Sequence, residues 1–400
     1  MTGPPPLHPA PRTRDIAATR HGVVLLTASV MPVMAIISLV PVLPLLMREF
    51  AGVAGSEFLV PIALTIPALC VALFSPVAGW LADRIGRKIL LVSALVLYAA
   101  CGIVPWFLDD LFQIIAARIA LGMTEAVIMT VATTLIGDYF VDERREKWIA
   151  LQVATTSVSA IVLIAVGGLL GEILGSRGPF LLYLLGLPIA GMAALILFEP
   201  EAHARSTGVG ATAFPFARVL PLVVITLGVG IVFYTLIVQL GPILELSGPV
   251  SPATIGMVGA VTNLSVGGGS FIFHKLKQHA GRMPLALGLL LAALGYAGAA
   301  YSTSLPSIAG FAALACVGSG ILLPNMLTWT MRGLPPEFRG RGTGLWTGAF
   351  FLGQFMAPLV AAAVVGATSS LASALLVYAG VVAVGSIVAA LSFRLGSRTG

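Results

Sequence analysis

Of 22 basic and 16 acidic side chains, Arg118 and Glu125 alone fall deep within an apolar run of this 400-residue chain. Seven residues separate them, which puts both on one helical face about 10.5 Å apart along the axis. Side chains on a helix lean toward its N-terminus, so Glu125 points toward Arg118. At a helix centre in hydrocarbon each charge costs about 2.5–3.5 kcal/mol, and such groups face a bundle interior or a water-filled path. Their mutual attraction at 10 Å and a dielectric near 20 is about 1.7 kcal/mol. The chemistry this permits is uptake and release of a proton at Glu125 as conformational change alters its surroundings. Two alternatives stay open: an ion pair that locks one helix to a neighbour, and an anionic substrate held directly by Arg118.

Softer candidates are the polar residues scattered through other apolar runs: Tyr234, Gln239, Asn263, Asn325 and Gln354. Each can line a substrate cavity or bridge two helices. Trp329 and Trp346 lie toward run ends, where indoles anchor at a membrane interface. Cys70, Cys101 and Cys316 sit in apolar runs and read as small core residues. His8, His21, His203, His274 and His279 fall in the N-terminal tail, at its edge or in polar loops, which leaves no histidine relay in the membrane. No Gly-rich loop with Lys-Ser/Thr is present to cradle a phosphate, and no metal-ligand cluster or catalytic constellation appears. The expectation is therefore no enzyme and no cofactor, with a proton gradient as energy source.

The elements that must position these residues are membrane helices. The chain is 58% hydrophobic and 10% charged, against about 25% charged in soluble domains, which excludes a water-soluble enzyme. Apolar runs predict an all-α membrane protein with helices over 22–47, 56–82, 89–108, 111–137, 147–172 and 178–198. A second set follows over 218–244, 252–273, 284–303, 307–331, 343–366 and 371–393. The expected organisation is a disordered tail (1–21), a six-helix bundle (22–198), a linker (199–217), a second bundle (218–394) and a short tail (395–400). With both ends placed in the cytoplasm, 19 of the 22 basic residues fall on that side; only Arg48 and Arg177 face outward, and Arg118 is within a span. Because the basic residues are dispersed over loops, the net charge of +6 reflects topology and implies no nucleic-acid partner. Basic loops recur half a chain apart, Glu143-Arg144-Arg145 against Glu337-Phe338-Arg339-Gly340-Arg341, which suggests a duplicated six-helix unit.

Gly79-Trp80-Leu81-Ala82-Asp83-Arg84-Ile85-Gly86-Arg87-Lys88, between the second and third helices, closely resembles the signature of the major facilitator superfamily. Arg118-Ile119-Ala120-Leu121-Gly122 resembles its helix-four Arg-x-x-x-Gly element, and Pro41-Val42-Leu43-Pro44 resembles the Pro-x-x-Pro of twelve-helix drug/proton antiporters. The helix-five Gly-Pro-x-x-Gly-Gly of those antiporters is kept only as Gly167-Gly168, with Leu163-Ile164 in place of Gly-Pro. Gly122-Met123-Thr124-Glu125-Ala126 is similar to organic-anion and spinster-type lipid carriers.

The resemblance implies two pseudo-symmetric six-helix bundles that rock about a central site. It also implies a conformational latch of Gly79, Asp83, Arg84, Gly86, Arg87 and Asp138. Asp83 would meet the start of helix eleven near Gly342–Gly344 when the cytoplasmic mouth is shut, an anion at a helix N-terminus worth about 0.3–1 kcal/mol. The expected activity is proton-coupled efflux of a small amphipathic compound from a bacterial inner membrane, by a monomer whose partners are its substrate and the bilayer. Organic-anion uptake or exchange, lipid or lysolipid transport, and a membrane sensor that moves nothing are the alternatives.

Overall fold

Hydrocarbon offers the backbone no water, so each apolar run must close its own hydrogen bonds as a helix. Among the described residues, eleven continuous helical stretches are long and apolar enough to cross a membrane. One of them, Asp142–Ile196, has 55 residues, about 82 Å of helix against roughly 30 Å of hydrocarbon. It turns back at Gly175, whose φ of 74° suits glycine. The stretches therefore make twelve crossings, called spans here. The computed structural model describes residues 18–200, 215–276, 278, 280–332, 334–335 and 338–396. Most of the expected N-terminal tail, the linker residues 201–214 and the last four residues lie outside these.

Spans one to four are Thr19–Glu49, Ser56–Ile85, Arg87–Phe107 and Leu111–Tyr139. Span five is Asp142–Leu174, and span six joins a 3-10 helix, Gly175–Leu185, to an α-helix, Gly186–Ile196. Spans seven to ten are Phe216–Val238 with its extension Leu240–Leu244, Pro252–Leu276, Arg282–Tyr301 and Leu305–Arg332. Spans eleven and twelve are Arg339–Thr368 and Leu371–Gly396.

Spans one and seven break at matching places. The α-helix of span one stops at Ile37, four residues before Pro41, and that of span seven stops at Val238, four residues before Pro242. Proline has no N–H to give the carbonyl four residues back, so the ladder ends there. Span one also starts earlier than expected. His21 lies in its first turn, 2% exposed, edge-on to Tyr139 and Phe198. His274 likewise belongs to the last turn of span eight and not to a loop.

The two halves meet tightly on the face opposite the basic loops. Spans five and eight touch backbone to backbone: a Cβ on Gly168 would stand 2.9 Å from Gly256 Cα, and one on Gly256 3.0 Å from Gly168 Cα. Nearby, Glu172 accepts from the Ala253 N–H at 3.4 Å, and Arg48 of span one pairs with Glu245 beyond span seven. The largest apolar core runs through this seam, joining spans one to six to Phe233, Leu236–Val238 and Ile255. Toward the basic loops the halves part around a cavity.

Candidate functional site

That cavity has a volume of about 1570 Å³ and takes walls from both halves. Spans two, four and five supply Ser75, Pro76, Met129, Thr130, Thr133, Thr134 and Ile149, and spans seven and eleven supply Leu227, Thr347 and Phe351. Asp138, Arg145 and Arg341 line it at the basic end. The hydroxyls are held: Thr134 donates to the Thr130 carbonyl at 2.7 Å, and Gln152 donates to Thr133 Oγ1 at 3.1 Å and Ser29 Oγ at 2.7 Å. Apolar walls with a few fixed hydroxyls and charges at one mouth suit an amphipathic small molecule.

Arg118 does not line this cavity. Its side chain is 1% exposed, and it donates to carbonyls at the break of span one and beside Pro67 within span two. Nε donates to Ala63 O at 2.9 Å, the carbonyl whose helical donor would have come from Pro67. Nη2 donates to Ala35 O at 2.6 Å and Leu64 O at 3.0 Å, and Nη1 to Tyr183 Oη at 2.6 Å. Ala35 is open because Leu39, its expected donor, bonds Ile36 O instead. Tyr183 Oη also donates to Ala35 O, at 2.8 Å. One guanidinium thus ties spans one, two, four and six together.

Glu125 is 2% exposed, and its Oε1 accepts no hydrogen bond among the described residues. It lies one turn of span four beyond Met129, past the blind end of the cavity. Gln354, two residues beyond the lining Leu352 of span eleven, is 3% exposed and likewise has an unpartnered Oε1. A buried acceptor without a donor costs about 1–3 kcal/mol. Neither residue lines the cavity; each lies on a lining span just beyond its lining residues, one in each half.

The remaining expected cavity residues have other occupations, and none of them lines it. Asn325 clamps the turn before span nine, accepting from Gly281 N at 2.7 Å and donating to Gly281 O at 2.9 Å. Asn263 donates to Gly259 O of its own helix at 2.9 Å. Tyr234 packs against Phe233 and Phe350, and Gln239 sits at the break of span seven. Trp346 stacks on Phe350 with its Nε1 buried and unpartnered, rather than anchoring at an interface.

At the basic end, Arg87 pairs with Asp138 and lies 3.6 Å from Asp83. Arg84 stacks over Trp80 at 4.2 Å. Gly86, at φ 99°, makes the turn into span three. Gly79 is not a tight contact in this conformation, since its Cβ would stand 3.9 Å from Thr130 Cγ2. Cβ atoms on Gly344 and Gly348 would meet nothing within 4 Å, because the cavity opens beside them.

The family model of the major facilitator superfamily matches residues 25–249 and 222–399. The chain belongs to the major facilitator superfamily. It is a multi-pass membrane protein with the all-α fold of that superfamily. Multidrug resistance protein 1 of Bacillus subtilis (strain 168) is 28% identical over 49% of this chain and 50% of its own. Tetracycline resistance protein, class B, of Escherichia coli is 27% identical over 45% of this chain and 44% of its own. The matched stretches thus span about half the length of these curated relatives. A bacterial homologue of the human lysosomal transporter Spinster, in an inward-facing and unoccupied conformation, superposes with a TM-score of 0.76 at 17% identity, covering 96% of this chain and 98% of that one. A mutant of the nucleoside transporter NupG gives 0.77 at 11% identity, over 94% and 99%.

The cavity-wall hydroxyls are absent from the sequence-based expectations, and so are Tyr183 and Glu199. Tyr183 belongs to no motif that sets it apart from the other tyrosines. Glu199, assigned to the linker, instead caps span three, accepting from the backbone N–H groups of Arg87 at 2.5 Å and Lys88 at 2.9 Å. Its signal was position: an acid at the end of the sixth span, available to the helix start beside Gly86.

Proposed function

We propose that this superfamily member is a proton-coupled exporter of small amphipathic compounds, with Glu125 as the proton-carrying group and the basic face in the cytoplasm. The observation that carries the reading is the buried carboxyl of Glu125, its Oε1 without a hydrogen-bond partner, one turn past the blind end of a two-walled cavity. Rocking the halves about the Gly168–Gly256 seam changes what reaches that carboxyl, and so couples its protonation to which side the cavity faces. The hydroxyl-studded apolar walls favour an amphipathic cargo. The multidrug and tetracycline resistance relatives, each similar over part of its length, support export. Direct capture of an organic anion by Arg118 is disfavoured, because four of its N–H donors are already committed to Ala35, Ala63, Leu64 and Tyr183.

The test is transport in proteoliposomes with a fluorescent amphipathic dye. A pH gradient imposed across vesicles of uniform orientation should drive the dye against its own gradient, and labelled dye should exchange without it. A sensor would show neither. Transport indifferent to the pH gradient would overturn proton coupling.

A further inference from the structure

Spans eight and ten cross as closely as backbones allow at Gly269 and Gly320, where a Cβ on either glycine would stand 2.9–3.0 Å from the other's Cα. Four residues on, Pro324 leaves the Gly320 carbonyl without a helical donor, and Ser270 Oγ supplies one at 3.1 Å. A proline at that point bends its helix, and on the basic side of it the two spans diverge. The crevice between them has a volume of about 410 Å³.

Each span lends one stripe to this crevice: Ser270, Phe273, His274 and then Gln278 from one side, Thr328 and Arg332 from the other. None of its described lining residues is acidic. Arg332 donates to the Gln278 carbonyl at 3.3 Å, which holds the guanidinium across the opening. Lys275 stands beside the mouth, its ammonium 5.2 Å over the Phe271 ring. Phe271 and Ile272, on the same turn, are 62% and 40% exposed. Both spans end here, at Leu276 and Arg332, so the crevice sits at the level where a bilayer's headgroups begin.

Cations at the mouth of a largely apolar crevice, with exposed apolar side chains directly beside them, match a molecule that is anionic at one end and hydrocarbon at the other. We propose that the crevice between spans eight and ten binds the headgroup of an acidic phospholipid from the leaflet on the basic face, with its phosphate against Arg332, His274 and Lys275. A soluble phosphate would use the same cations but leave Phe271 and Ile272 without purpose. The site is separate from the central cavity and does not depend on the proton mechanism.

The test uses the full chain purified in detergent, offered phosphatidylglycerol or phosphatidylcholine of identical acyl chains and read by native mass spectrometry. The parent should retain phosphatidylglycerol over phosphatidylcholine by about tenfold or more. Lys275→Gln with Arg332→Gln should bring the ratio to within about twofold, while Arg20→Gln with Lys147→Gln, an equal charge loss in the other half, should preserve it. Equal retention of the two lipids by the parent, or full preference in the Lys275/Arg332 pair, overturns the proposal. Displacement of the lipid by millimolar inorganic phosphate also overturns it, because it assigns the site to a soluble anion. If the paired variant fails to fold, the two-lipid comparison on the parent still decides.

Discussion

Arg118 donates to the Ala63 carbonyl, the one that Pro67 deprives of its helical partner. A kink in span two thus creates the acceptor, and span four provides the charge that fills it. Arg118→Ala should leave buried carbonyls on spans one and two open and cost about 1–3 kcal/mol for each. Pro67→Ala returns an N–H to Ala63, so in the Arg118→Ala background it should recover part of the loss. A double-mutant cycle of melting temperatures checks this; strict additivity would mean the two residues do not share that carbonyl.

The seam at Gly168 and Gly256 gives a second expectation. A Cβ on Gly168 would stand 2.5 Å from the Pro252 carbonyl oxygen, which cannot move aside as a side chain can. Gly168→Ala should pry spans five and eight apart and populate the state open on that face. Spin-label distances across the seam would lengthen. Gly191→Ala, where a Cβ meets nothing within 4 Å, serves as control and should leave them unchanged.

Arg48 and Glu245 bridge the halves on the same face, and Arg48 is 57% exposed. An exposed pair is worth about 0–1 kcal/mol, so Glu245→Gln should shift the balance of states by about fivefold or less. Arg48→Glu with Glu245→Arg should restore the parent balance, and high salt should mimic the single variant. Accessibility of an engineered cysteine on that face reads all three; a swap no closer to the parent than the single variant would remove the pair from the closure.

Glu199 caps span three from a distant segment. Glu199→Ala should cost about 0.5–2 kcal/mol and raise amide exchange at Arg87 and Lys88, whereas Glu199→Gln should retain part of the cap. Unchanged exchange in Glu199→Ala would show that the cap does not hold in solution.

The crossings were legible because a bilayer tolerates only helices here, and Pro41 and Pro242 mark in sequence the carbonyls at which spans one and seven break. The isolation of Arg118 and Glu125 was equally plain. What each one touches was not, since the partners of Arg118 are mainly carbonyls, and any residue type has one; only Pro67 hints at which is free. The cavity wall was hidden for a different reason. Thr130, Thr133 and Thr134 look like ordinary helix hydroxyls, while the conspicuous amides Asn263 and Asn325 were already bonded to backbone. The spacing of three and four residues that puts those threonines on one face was the usable clue.

The most direct test of the central claim is transport by Glu125→Gln, which keeps the shape of the side chain and removes its proton exchange. In proteoliposomes the variant should exchange labelled dye across the membrane as the parent does, yet fail to accumulate it against a gradient when a pH difference is imposed. Accumulation equal to the parent's, with the same dependence on pH, would contradict the account.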